Sequence, residues 1–280
     1  MNDRWETSPR YPGPLATIVE VWEYRGLLGY IGDRALRKMY RRTVLGWLWL
    51  FINPLFPIAL RAVIFGGLLG VGSNGLPYFL FLLAGTVVWD VFASSLMWGT
   101  RSLEMNRDLT DQIYHPRALL PLGNMTPALL NMGLKVGVFI AALIFYTVRD
   151  GHVYVRLDPS LLWAAAALAL AFLFALALSF FTAIWGEMAR DIRFALGQLL
   201  SVWYLLTPVL YPLSQVPEAH RGWMMLNPLA IIVETFKWGL FGVGAFDARA
   251  FGWTAAAMLA LCAAGLTYFV RTDARTNAER

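Results

Sequence analysis

Apolar runs long enough to cross a hydrocarbon core alternate along the chain with short polar, arginine-bearing segments. A spanning helix takes about 20 mostly apolar residues, and runs of that kind cover residues 46–70, 78–100, 121–148, 161–185, 195–213 and 251–270. The pattern predicts an all-α integral membrane protein, a single transmembrane domain of six helices over residues 1–280. Six spans place both ends on one side. Outside the spans, sixteen Lys and Arg residues fall on the side of the termini and five on the other. Cations accumulate on the cytosolic face, so both termini are expected in the cytosol.

Two segments fit neither span nor loop. In Leu15 to Thr43, Leu15, Ile18, Val19 and Trp22 share one helical stripe, and the cluster Arg34, Arg37, Lys38, Arg41 and Arg42 follows. This suits an amphipathic helix lying in the inner membrane interface, its cations toward anionic headgroups; a plain topogenic cluster has the same composition. The second segment, Asn227 to Gly242, is apolar but carries Glu234 and Lys237 and is too short for a full span. Residues three apart share a helical side. The expectation is therefore an outer-side re-entrant hairpin over residues 223–242, between helices five and six.

Composition narrows the function. The chain is 58% hydrophobic and 15% charged, against about 25% charged in soluble domains. Its net charge of +5 is not gathered into the soluble basic module that nucleic-acid binding needs. The N-terminal residues MNDRWETSPRYPGP lack a secretory signal's apolar run and are expected to stay in the mature chain. Cys262 stands alone and His115, His152 and His220 lie far apart, so neither disulfide nor metal chemistry is indicated.

No nucleophile, base and orienting group suggest an enzyme. The three lysines, Lys38, Lys135 and Lys237, fit no phosphate-binding loop, so any ATP-driven work belongs to another polypeptide. A membrane-embedded enzyme or an ion-coupled carrier would rest on Asp90, the main acid within the spans.

Arg61 lies fourteen positions beyond Trp47, about 21 Å into the first span. Snorkelling to the outer surface, a pair with Asp90, a pair with Glu234 and a place on a hydrated path are all open to it. Trp47, Trp49, Phe51, Phe56 and Phe65 in the first span, with Trp203, Tyr204 and Tyr211 in the fifth, suit an interfacial belt, buried packing or a wall for sugar rings. Phe56 and Tyr204 are too deep for a belt.

Six motifs, in order, carry a resemblance: RRTVLGWLWLFINPL, GTVVWDVF, HPRALLPL, RDIR, TPVLYPLSQVPE and NPLAIIVETFKWGLFG. Together they resemble the membrane subunit of type-2 ATP-binding-cassette exporters of cell-surface polysaccharide, the O-antigen, capsule and teichoic acid permeases. That resemblance implies a homodimer docked on two copies of a cytosolic ATPase subunit in the bacterial inner membrane. ATP and Mg would be bound by that partner, with no cofactor in this chain.

The implied cargo is a glycan on a polyprenyl diphosphate, passed on to periplasmic or outer-membrane export components. Arg34, Arg37, Lys38, Arg41 and Arg42 would meet the diphosphate at the inner entrance. The loop over residues 101–117, with Glu104, Arg107, Asp108 and Asp111, would couple to the ATPase. The aromatic residues named above, with Arg61, would line the channel, and Asn227, Pro228, Glu234 and Lys237 would form the outer gate. Arg61 departs from the family pattern. A type-2 exporter of a drug or lipid shares the architecture.

Overall fold

The computed structural model describes residues 14–40, 49–110 and 115–278; Trp47, Arg41, Arg42 and Asp111 lie outside them. All regular elements among the described residues are helical. In chain order they are α1 (Pro14–Glu23), α2 (Gly26–Tyr40), α3 (Trp49–Arg61), a π-helical continuation (Ala62–Leu68), α4 (Tyr78–Thr100), α5 (Ser102–Met105) and α6 (Arg107–Thr110). Then follow α7 (Leu119–Asn124), α8 (Thr126–Asp150), α9 (Leu161–Met188), α10 (Asp191–Leu205), a 3-10 turn (Leu213–Gln215), α11 (Glu218–Met225), α12 (Pro228–Phe241) and α13 (Ala248–Ala278).

Four stretches are long and apolar enough to cross a membrane: Tyr78–Thr100, Leu119–Asp150, Leu161–Met188 and Ala248–Asp273. They coincide with predicted spans two, three, four and six. The predicted fifth span is helical only through Leu205, about 22 Å of axis at 1.5 Å per residue. Pro208 disfavours helical geometry at Thr207, and Pro212 brings no N–H to continue a ladder. The predicted interface helix is two helices, separated by a turn at Tyr24 and Arg25.

The bundle is organised around α4, which packs against α8, α9, α10 and α12. Leu80 through Val88 are buried without interruption, as expected of a helix apolar on every side. Phe92 stacks on Phe174 of α9 at 4.9 Å between ring centroids, and Trp203 of α10 meets both edge-on at 5.4 and 5.9 Å. By contrast, Ile140, Ile144, Phe145 and Val148 form an exposed apolar stripe along α8. Such a stripe suits hydrocarbon as its solvent, with backbone groups satisfied inside the helix. On the cytosolic side of the predicted topology, α1 packs on α13 and α2 on α7 and α8. Ile18, Val19 and Trp22 of α1 stay exposed, while Ile31 of α2 is fully buried.

Small residues let α9 and α12 approach closely. A Cβ at Gly239 would lie 2.8 Å from both the Ala164 nitrogen and the Ser160 carbonyl oxygen, which are backbone atoms with little freedom to yield. The Ser160 hydroxyl also donates to the Gly239 carbonyl at 2.9 Å. Gly239→Ala should therefore cost about 1–3 kcal/mol by overpacking, read as a lower temperature of half-loss of monodisperse protein in detergent. Gly252→Ala, where a Cβ meets open space, should leave that temperature unchanged or raise it.

Candidate functional site

Near the middle of α4, Asp90 forms an ion pair with Lys135 of α8, the lysine buried and the carboxylate partly open. The open side of Asp90 contributes to a cavity of ≈ 390 Å³ that Arg61, Phe65, Trp89, Ser201 and Tyr204 also line. Arg61 donates to the Tyr204 hydroxyl at 3.2 Å, and its guanidinium carbon lies 4.7 Å from the centre of that ring. Of the partners open to Arg61 in the sequence, Asp90 is taken by Lys135 and Glu234 by Lys237. Among the described residues no carboxylate lies within ion-pair distance of Arg61. A neutral hydroxyl and a ring face are worth about 1 kcal/mol each, while an arginine at the centre of a span costs about 2.5–3.5 kcal/mol on insertion scales. The charge is softened but not neutralised.

No sequence motif assigns Lys135 a role. The available signal was an ionisable residue inside a span, opposite an acid on the preceding one.

The expected channel-lining residues separate in space. Arg61, Phe65 and Tyr204 share the cavity, with Tyr204 edge-on to Trp89 at 5.2 Å. Phe56 is exposed on α3, and the side chains of Trp49 and Phe51 lie outside the described residues. Trp203 packs into the aromatic core and donates to the Asn227 side-chain oxygen at 3.0 Å. Tyr211 belongs to a different cavity, shared with Gln215, His220 and Trp223.

The residues assigned to the outer gate fasten the end of α10 to α12. The Asn227 side-chain oxygen caps α12 by accepting from the Leu229 N–H at 3.1 Å, and its amide donates to the Thr207 hydroxyl at 3.0 Å. Pro228 occupies the first turn of α12, where its missing N–H costs nothing. Glu234 and Lys237 pair at 3.5 Å, each 1% exposed. Lys237 also donates to the Pro208 carbonyl at 2.5 Å and sits 3.7 Å from the centre of the Phe81 ring. Glu234 accepts from the Ala245 N–H at 3.0 Å. One buried pair thus ties α12 to the Thr207–Pro212 turn, α4 and the loop after α12.

At the opposite end, three ion pairs clasp the segment expected to couple to an ATPase. Glu104 pairs with Arg193 of α10, Arg107 with Glu187 of α9 at 3.8 Å, and Asp108 with Arg34 of α2. Lys38 donates to the Met105 carbonyl, and Arg37 pairs along its own helix with Asp33 at 2.8 Å. Of the described entrance cations, Arg34 and Lys38 are therefore engaged by α5 and α6. The Asp108 backbone N–H and the Arg34 guanidinium hold the Asp108 carboxyl below its ordinary range. Burial, followed by the nearby Arg34 charge, pushes the Lys38 ammonium below its own. A depressed carboxyl contributes stability above its unfolded value and loses it as pH falls through the folded one. The Arg34–Asp108 contact is therefore complete at neutral pH and weakens in acid.

Spans of this length and apolarity define an integral membrane protein. The profile of the ABC-2 type transporters matches residues 27–241, and the chain belongs to that family as a transport permease. The O-antigen export system permease protein RfbA of Myxococcus xanthus is 28% identical over 225 residues, covering 80% of this chain and 83% of that protein. RfbA of Klebsiella pneumoniae is 28% identical over 214 residues, covering 75% and 78%. The polysialic acid transport protein KpsM of Escherichia coli is 22% identical over 204 residues, covering 72% and 76%.

The pair between α4 and α8 makes a direct prediction. Lys135→Met or Asp90→Asn alone should destabilise the protein by about 3–5 kcal/mol, because each leaves a charge without its partner. The double substitution should come back to within about 1 kcal/mol of the parent, since both charges are then gone. Thermal loss of monodisperse protein in detergent reads all three variants.

Proposed function

We propose that this chain is the channel-forming subunit of an ATP-driven exporter that moves a lipid-linked polysaccharide across the bacterial inner membrane. A separate subunit hydrolyses the ATP. The observation that carries this reading is the similarity, over three quarters or more of the chain, to permeases named for O-antigen export. The Escherichia coli protein named inner membrane transport permease YadH, 22% identical over 217 residues, supports the membrane assigned. The working form is a homodimer docked on two ATPase copies, with α3 and α10 of each copy facing the path. α3 with its π-helical continuation and α10 complete six spans, with both termini cytosolic, α1 and α2 in the inner interface, and α11 and α12 as the re-entrant outer hairpin.

The cytosolic clasp supports a mechanism. A push from an ATPase on α5 and α6 would reach α2, α9 and α10 through Arg34, Glu187 and Arg193. Since α10 carries Tyr204 and ends at the turn held by Asn227 and Lys237, its displacement would open the path at the cavity and at the outer hairpin. Arg37, Arg41 and Arg42 would hold the lipid diphosphate near the inner entrance. Aromatic rings along α3 and α10 would offer flat, sequence-tolerant contacts to successive sugars.

The test uses the chain purified with its ATP-binding subunit and reconstituted in proteoliposomes. Glu104→Arg and Arg193→Glu should each lower ATP-driven glycan export at least about fivefold, and the double swap should recover to within about twofold, the signature of a coupling contact. Full export by both single variants would show that the clasp transmits nothing. Absence of any ATP-dependent glycan transfer by the parent complex would remove the exporter reading itself.

A further inference from the structure

We propose that the Arg61 cavity is an anion-recognition site within the membrane, taking an oxyanion of the cargo as it passes. The inference rests on the exporter reading above and adds a chemical selectivity to it. Asp90 and Lys135 cancel within their own pair, leaving Arg61 as the net positive charge of the cluster. A guanidinium carries five N–H donors in a planar fork that matches phosphate and carboxylate oxygens. Tyr204 accepts one of them at 3.2 Å, and the same ring backs the guanidinium face, which fixes the orientation of the fork. Phe65 and Trp89 supply apolar walls around it, and the Asp90 carboxylate that shares the lining is already paired with Lys135.

Two further features agree. The cavity volume of ≈ 390 Å³ falls in the range of about 300–1,000 Å³ common to small-molecule sites. Directly after Arg61 the α-helix gives way to a seven-residue π-helix, Ala62–Leu68, a rare geometry that recurs at functional positions. In the exporter, the oxyanion would come either from the diphosphate of the carrier lipid or from the carboxylate of an acidic sugar. Both present the same chemistry to Arg61.

The experiment measures equilibrium binding to the full chain in complex with its ATP-binding subunit, in nanodiscs of zwitterionic lipid. Its probes are a polyprenyl diphosphate beside the matching polyprenol, and a uronic-acid oligosaccharide beside its neutral counterpart. In the parent, at least one anionic probe should bind more tightly than its neutral partner. Arg61→Gln should remove that preference by about tenfold or more, equivalent to about 1.4 kcal/mol. Arg61→Lys should keep most of it, and the affected probe identifies the source of the oxyanion. Leu205→Glu, which places a carboxylate on the cavity lining, should abolish the preference without touching Arg61 and serves if Arg61→Gln yields no folded complex. Anion preference unchanged in Arg61→Gln and Leu205→Glu, or absent from the parent, overturns the site. ATP-driven export by the parent in those cases leaves the exporter reading standing, whereas loss of that export removes the reading first.

Discussion

A charge inside a bilayer must be answered by another charge, by hydrogen bonds or by water, and much of this molecule's organisation follows from that requirement. Asp90 and Lys135 answer one another across α4 and α8. Glu234 and Lys237 do so within α12, fully enclosed and bonded outward to the Pro208 carbonyl and the Ala245 N–H. Neither pair needs to add net stability over an apolar substitute. The first joins α4 to α8, since separating them would strand a charge, and the second joins α12 to its neighbours through the hydrogen bonds each partner makes outward. The pairs therefore specify where α8 sits on α4 and where the end of α10 sits on α12.

Arg61 is treated differently. It receives a hydroxyl and a ring face, and its cluster retains a positive charge toward an open cavity. The Glu234–Lys237 pair is enclosed, the Asp90–Lys135 pair is buried on its lysine side and open on its acid side, and Arg61 faces the cavity. Helices α4, α8, α9 and α12 pack into the core, while α3 with its π-helical continuation, α10 and the Trp89–Asp90 edge of α4 hold the residues around the opening. The Glu104–Arg193 pair lies at the other end of α10, so one helix links α5, the cavity and the turn held by Asn227.

Much of this architecture can be read from the sequence. Tyr78–Thr100, Leu161–Met188 and the long run ending α13 declare themselves by length and apolarity. The Glu234–Lys237 pair was also legible, because a three-residue spacing on a helix is local information. The end of α10 is hidden because apolar residues continue past Thr207, while Pro208 and Pro212 turn the chain away. The division of the interface segment into α1 and α2 was hidden in the same way, with hydrophobic residues on both sides of Arg25. The partners of Arg61, Glu104, Arg107 and Asp108 depend on which helices become neighbours across dozens of residues. No spacing rule encodes that. The charged residues were thus visible as chemistry before their partners could be known.

The most direct measurement of this division exploits the single cysteine. With Cys262→Ala as background, cysteines placed at Ser201 in the cavity and at Ile144 on the exposed stripe of α8 are reacted with small water-soluble methanethiosulfonates of either charge. The account predicts that position 201 reacts and position 144 does not, with the anionic reagent faster at 201 and that advantage lost in Arg61→Gln. Equal inertness at both positions, or a rate at 201 indifferent to reagent charge and to Arg61, would contradict an open cationic cavity.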